Sequence, residues 1–321
     1  MELKYQLKAL FNSDASQKIL AFAGLIVMFV VFSLASPNFF QFSNIVGILL
    51  ATAVNGVLAL GVSFVIITAG IDLSVGTVMT LSAVMAGVFI TNLGLPIPIG
   101  VIGGLLTGGF AGFVNGTVIS KMRVPPFVTT LGMLYVAKGL ALVISGLKPI
   151  YFTEDPGFTK IAMGDIGGIP YAVLIFFGAA IVASIILNKT ILGRYTFALG
   201  SNEEATRLSG VNTDKWKTAV YTLAGLYSGL AGVLIASRLN SAQPALGAGY
   251  ELDAIAAVVI GGTSLSGGEG TILGTVIGAF IISVLTNGLR ILSVPQEWQI
   301  VVTGGILIVA VYADMLRRRR S

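Results

Sequence analysis

NKTILGRYTFALGSNEEATRLSGVNTDKWK, residues Asn188–Lys217, is the longest polar interval in a chain that is otherwise almost continuously apolar. It separates two runs without any charge, one ending before Lys189 and one beginning after Lys217. Within it the signals of a short helix accumulate. Ser201 stands three residues before Glu204, the spacing of a capping box in which the hydroxyl accepts from the N3 amide and the carboxylate reaches back. Glu203 and Glu204 fall in the first turn, where the helix dipole favours negative charge. Gly210 occupies the place of a left-handed C-terminal cap. Ala205 and Leu208, three apart, share a face. The interval therefore predicts a helix of about two turns with a small apolar spot among charged neighbours. A helix that short is marginal alone in water and firmer when docked against a partner.

The flanking sequence sets the fold class. Of the 321 residues, 55% are hydrophobic and only 10% charged, against about 25% charged in a soluble domain. No charge occurs between Lys18 and Asp72, between Asp72 and Lys121, between Asp165 and Lys189, or between Lys217 and Arg238. A transmembrane helix needs roughly 20 apolar residues, so the pattern predicts an all-α polytopic membrane protein of about ten transmembrane helices, some broken or short. The expected spans are Ile19–Ala35, Asn44–Thr68, Val78–Ile90 with its flanks, Ile99–Ser120, Phe127–Gly146, Ile169–Leu187, Thr218–Ser237, a broken eighth at Ala254–Gly262, Ile272–Leu289 and Trp298–Tyr312. The first also fits a cleavable signal peptide ending near Leu34-Ala35-Ser36, although its apolar run is longer than such segments carry. The organisation is an N-terminal segment 1–18, a transmembrane domain 19–315 with the 188–217 loop inside it, and a basic tail 316–321.

Ten spans place both termini on one side. With the N-terminus inside, fourteen of the nineteen basic residues fall on inside segments, as positive charge on a cytoplasmic face requires. The Asn188–Lys217 interval is then cytoplasmic. The net charge of +5 follows from this topology and does not point to nucleic acid. The 41 glycines include Gly103-Gly104, Gly108-Gly109, Gly112 and Gly116 along the fourth span. Small residues let membrane helices approach closely, and packing inside one chain is expected rather than a seam between copies.

The chain has no cysteine and no histidine. Thiol chemistry and thiolate metal sites are excluded, as are the commonest general base and metal ligand. No GxxxxGK[ST] is present, so no P-loop cradles a nucleotide, and no cofactor is implied. Carboxylate pairs within spans, the usual mark of an ion-coupled carrier, are missing too. Asp72 sits in a glycine-bounded turn, where it and Ser74 are expected to cap the third helix, with an ion site as the alternative. Lys138 lies inside a span, snorkelling or facing a polar cavity. Asn55, Asn115 and Asn287 are polar enough to line a pathway, and equally able to bond between helices. Two glycine-bounded breaks, Leu73–Thr77 and Leu265–Thr271, stand beside apolar runs. Broken helices mark translocation paths, and the pair could also record an internal repeat.

At these residues a family resemblance emerges. Gly70-Ile71-Asp72-Leu73-Ser74-Val75-Gly76, the run Gly200–Val211 (GSNEEATRLSGV), Ser241-Ala242-Gln243-Pro244 and the run Tyr250–Gly268 (YELDAIAAVVIGGTSLSGG) resemble the ribose-type permease subunits of bacterial monosaccharide ABC importers. The likeness extends over roughly 37–313. It implies a cytoplasmic ATP-binding subunit, a periplasmic sugar-binding protein, a second permease copy, a monosaccharide substrate and a lipid bilayer around the spans. It also implies that Ser201, Asn202, Glu203, Glu204, Ala205, Thr206, Arg207, Leu208 and Gly210 form the coupling helix seated in the ATPase. Leu208 would be the buried contact there, Ala205 would permit close approach, and the charges would form the rim. Lys148, Glu154, Asp155, Lys160 and Arg238 are expected to meet the binding protein, since charged rims steer docking. Ribose is the first expectation for the sugar. A stand-alone secondary carrier for a small polar solute, or a membrane subunit that moves nothing, are the alternatives.

Overall fold

In the computed structural model, which describes residues 14–318, the chain is a bundle of helices with two small two-stranded ribbons. The basic residues Lys4, Lys8, Arg319 and Arg320 lie outside the described residues. In chain order the elements are α1 (Asp14–Ala35), α2 (Phe42–Ile67), α3 (Val75–Gly87) with a π-turn at Val88–Asn92, α4 (Ile97–Lys121) and α5 (Pro126–Ile144). Then come β1 (Ile150–Tyr151), α6 (Pro156–Met163), β2 (Asp165–Ile166), β3 (Ile169–Pro170), α7 (Tyr171–Lys189) and α8 (Ile191–Leu208). The chain continues with α9 (Thr213–Leu239), β4 (Ser241–Ala242), α10 (Tyr250–Ile260), α11 (Ile272–Ile291) and α12 (Gln296–Arg318).

Proline sets several of the starts. Pro125 and Pro170 are N-cap residues of α5 and α7, and Pro156 opens α6. Its fixed φ suits the first turn and its missing N–H is one the helix leaves unpaired there.

Seven helices among the described residues are long and apolar enough to cross a membrane: α2, α3 with its π-turn, α4, α5, α7, α9 and α11. The apolar parts of α1 and α12, Ala21–Ala35 and Gln296–Tyr312, are shorter. The broken eighth span is an eleven-residue helix that begins at Tyr250, earlier than the sequence indicated. At 1.5 Å per residue it rises about 16 Å, roughly half of a bilayer core. The interval between the expected spans Phe127–Gly146 and Ile169–Leu187 is not a bare connection. It folds into α6 and the β2 turn, and β1 pairs antiparallel with β4.

α2 is the central element, buried at nearly every position from Ile48 to Ile67. A helix apolar on all sides needs protein on all sides, and α7, α9, α10 and α11 supply it. The broadest contact in the molecule joins α4 to α9, and glycine makes it possible. Gly104, Gly108, Gly112 and Gly116 descend one face of α4 at four-residue steps against Gly229, Gly225, Tyr221 and Thr218 of α9. A Cβ at Gly116 would lie 2.6 Å from the Thr218 Cα, and one at Gly225 would lie 3.0 Å from the Gly112 Cα. The glycine string thus serves packing within the chain.

The packing uses one pattern twice. α4 lies against α9 as α11 lies against α2, α3 against α4 as α10 against α11, and α3 against α9 as α10 against α2. This relates α2–α5 to α9–α12. The two glycine-bounded breaks are not equivalent under it: one precedes α3, whereas the other follows α10. Their likeness is local turn chemistry.

Candidate functional site

The polar interval folds into more helix than its sequence suggested. α7 runs into it as far as Lys189, and α8 begins at Ile191, with the Thr190 hydroxyl accepting from the Gly193 amide. α8 is two limbs joined at Asn202, whose φ of −163° and ψ of 100° are extended. The first limb is partly buried through Thr196 and Leu199. The second, 203–208, is the expected short helix, but its cap is shifted by one residue. Asn202, not Ser201, is the N-cap, its Oδ1 accepting from the Ala205 amide at 2.9 Å. The Ser201–Glu204 capping box is therefore replaced. Asn and Ser cap about equally well, and the extended backbone that a cap needs falls at Asn202.

Around this limb each polar group has a defined role. Thr206 donates to the carbonyls of Asn202 (2.8 Å) and Ala198 (3.0 Å), bridging the kink. Arg207 lies 3.6 Å from Glu203 and 3.5 Å from Glu204, and Lys217 lies 2.7 Å from Glu203. Gly210 takes φ +84°, ending the limb as expected, with its amide donating to the Arg207 carbonyl at 3.0 Å. Asn212 then caps α9 by accepting from the Lys215 amide at 3.0 Å. The Tyr195 and Trp216 rings lie 4.9 Å apart.

What this scaffold presents outward is apolar. Leu208 is 80% exposed, and Ala205 is exposed beside it. An exposed leucine alone is ordinary. Here it caps a short helix held rigid by a capping side chain, three ion pairs and a hydroxyl bridge, with charges at the rim.

The remaining candidates scatter. Lys148, Glu154 and Lys160 are exposed and Asp155 half-buried. Lys160 lines an open pocket of about 340 Å³ with Phe152, Thr153, Thr159, Met163, Gly164 and Asn240. Two of its lining residues are tied together, Thr159 donating to the Asn240 Oδ1 at 2.8 Å. Arg238 is not in that lining. It sits half-buried in the last turn of α9, not in a loop.

Asn115, 1% exposed, donates to the Ser74 hydroxyl at 3.0 Å. Asn287 donates to the Asn44 Oδ1 at 2.9 Å. Both therefore tie segments together. Asn55, on α2, is half-buried, as is Asn287. Asp72 is 2% exposed and accepts from the Ser74 amide (2.8 Å) and hydroxyl (2.6 Å). Ser74 thus turns its hydroxyl back to Asp72 and does not cap α3 with it. Lys138 is exposed on α5.

Sequence reasoning missed one grouping. Gly200, the end of α2 and the Gly267-Gly268 turn come together. The glycines were visible, but nothing in their spacing says that they touch.

Comparison with known proteins gives this geometry a context. A protein-family profile described as branched-chain amino acid transport system / permease component matches residues 16–311. The ribose import permease protein RbsC of Bacillus subtilis is 42% identical, over 98% of this chain and 97% of its own. The protein of the same name from Escherichia coli is 43% identical, over 90% of this chain and 91% of its own. The L-arabinose transport system permease protein AraH of Escherichia coli is 38% identical, over 92% of this chain and 91% of its own. No solved structure matches the chain.

Proposed function

This chain belongs to the branched-chain amino acid transport system / permease component family, and on that premise we propose that it is the membrane-spanning permease subunit of an ATP-driven importer of a ribose-type monosaccharide. The observation that carries the reading is identity of 42–43% to ribose import permeases over at least 90% of both chains. The family description names amino acids, but the relatives of high identity are named for sugars. Ribose is favoured over arabinose by identities of 42–43% against 36–38%.

The chain is a transport subunit and not an enzyme. ATP is hydrolysed by a separate cytoplasmic subunit. A periplasmic binding protein delivers the sugar, and a second copy of the chain completes the path. The protein is a multi-pass protein of the inner membrane with both termini in the cytoplasm. Its ten crossings are the seven long helices, α1, α12 and a broken one in which the short α10 covers about half of the bilayer core. Charge asymmetry supports this orientation.

The second limb of α8, with Ser201–Leu208 and Gly210, is the coupling helix. Leu208 is the contact buried in the ATP-binding subunit, and Glu203, Glu204 and Arg207 form the polar rim. When nucleotide closes the ATP-binding subunits, the limb is carried with them. Lys217 transmits that displacement to α9, which moves against α4 and α2. The Lys148, Glu154, Asp155 and Lys160 surface receives the binding protein, with Arg238 at its margin. Asn55 is the first candidate for the pathway, and Asn115 and Asn287 follow.

Reconstitution in vesicles tests the reading. Uptake of labelled ribose should require the ATP-binding subunit, the binding protein and ATP together. Uptake by the permease alone, without ATP, would make it a secondary carrier and turn attention to Asp72.

A further inference from the structure

The first limb of α8 ends in a junction that the coupling reading leaves unused. Three segments far apart in sequence meet there backbone to backbone. The carbonyl of Ile67, the last residue of α2, accepts from the Gly268 amide at 2.9 Å. It is one of the four carbonyls that a helix end leaves open, and it is filled from the turn that leads into α11. Gly200 presses on both partners. A Cβ there would be driven into the Ile67 carbonyl oxygen and would lie 2.5 Å from the Gly268 nitrogen. Gly267 and Gly268 have φ of +81° and +76°, a conformation open to glycine at little cost. A Cβ on Gly267 would lie 2.8 Å from the Ala69 nitrogen, and one on Gly268 would lie 2.8 Å from the Ser201 hydroxyl. The end of α2 and the 265–271 break thus converge on the residue pair Gly200-Ser201, immediately before the kink.

The two sides of the kink are fastened differently. The outer limb is bolted to its surroundings by Glu203–Lys217, by the Arg207 pairs and by Thr206 bridging to Ala198. Displacing Leu208 therefore displaces Ala198–Ser201 with it. At the junction, by contrast, the contact is chiefly glycine backbone on backbone, with the Ala69 Cβ beside Gly267 and the Ser201 hydroxyl beside Gly268. Hinges are a few loop or element-terminal residues, and the three segments of the junction are of that kind.

We propose that the Gly200/Ile67/Gly268 junction is the parting seam of the transport cycle. Movement of the coupling limb separates α8 from the end of α2 and from the 265–271 turn, which releases α10 and α11 against α2. Gly200, Gly267 and Gly268 are positioning residues for transport and touch no substrate. The proposal rests on the reading of 201–210 as the element that docks the ATP-binding subunit.

The chain lacks cysteine, so two introduced thiols can be joined without background. Ser201→Cys with Gly268→Cys gives a direct disulfide across the seam. Ser201→Cys with Ala69→Cys, joined by a short bis-thiol reagent, avoids any substitution at a positive-φ glycine. Each pair is reconstituted with the ATP-binding subunit and binding protein. ATP-driven ribose uptake and co-purification of the ATP-binding subunit are then measured before cross-linking, after it, and after reduction of the disulfide. We expect uptake to fall by about an order of magnitude when the link forms, as for a blocked conformational step. The ATP-binding subunit should stay bound, and reduction should restore uptake. A damaged fold would not recover on reduction. Unchanged uptake in fully cross-linked, ATPase-bound protein would overturn the seam and leave the docking reading standing. Failure of the wild-type permease to carry the ATP-binding subunit would instead remove the docking reading and the seam with it.

Discussion

Lys217 Nζ lies 2.7 Å from Glu203 Oε2, joining the first turn of the exposed limb of α8 to the first turns of α9. The pair spans fourteen residues of chain, including the Gly210 cap. Because Glu203 also meets Arg207, the limb, its cap and the start of a membrane helix form one unit. A load on the limb reaches α9 through this unit as well as along the chain at 209–212.

Breaking the pair should therefore loosen the limb more than its modest energy suggests. The side chains are 18% and 31% exposed, so the coupling energy in a double-mutant cycle of Lys217→Gln and Glu203→Gln is expected near the upper end of surface pairs, about 1 kcal/mol. Thermal unfolding in detergent at low and high salt measures it. The matching functional result is more ATP hydrolysed per sugar moved, and an unchanged ratio would sink this use of the pair.

Leu208→Asp should remove the docking contact while leaving the permease folded, since the side chain is 80% exposed in the isolated chain. The tagged variant is expected to purify with normal yield and melting behaviour but without the ATP-binding subunit that accompanies the wild type. Transport at the normal rate in a purified complex would count decisively against the coupling assignment.

The shifted cap separates two neighbours. Asn202→Ala should destabilise the second limb by about 1 kcal/mol, the usual cost of losing a capping side chain. Ser201→Ala should leave the limb intact. Protease sensitivity between 203 and 208 is the readout. Equal effects from the two substitutions would restore the Ser201 capping box.

Glycine positions divide sharply by environment. Gly108→Ala places a Cβ 2.7 Å from the Gly229 nitrogen, so α4 and α9 must separate, at a cost of a few kcal/mol typical of overpacking. Gly132→Ala and Gly139→Ala on α5 meet nothing within 4 Å and should be neutral or slightly stabilising, within the ~1 kcal/mol alanine advantage in helices. Melting temperatures of the three variants in one detergent decide it. Equal losses would mean that the α4–α9 contact is not set by glycine.

At the other end of the molecule, Glu154→Lys with Asp155→Lys should weaken stimulation of ATP hydrolysis by the binding protein. Basal hydrolysis should be unchanged, because both residues lie far from the coupling limb in sequence and on a different surface. The dependence of stimulation on binding-protein concentration, at two ionic strengths, is the check. A curve unmoved by the double reversal would take these residues out of the docking surface.

The sequence alone determined that the chain is a helical bundle of the membrane, where the long spans run, and where a short capped helix projects. The reasons are local or additive. Charge is too costly to leave in lipid, so charge-free runs declare themselves. Caps and left-handed glycines act on their own neighbours, as Gly210 does. Even so, Asn202 rather than Ser201 took the cap, because two adjacent residues cap almost equally well and the surrounding fold chose where the backbone turned extended.

Tertiary structure alone decided which polar residues meet and which surfaces remain open. Asn115 bonds to Ser74, forty-one residues away, and Asn287 to Asn44, two hundred and forty-three away. Neither bond leaves a trace in spacing. Likewise nothing about Gly200 or Gly268 as letters says that one backbone fills the space beside the other. A missing side chain matters only through what occupies its place, and that is fixed by how distant helices cross.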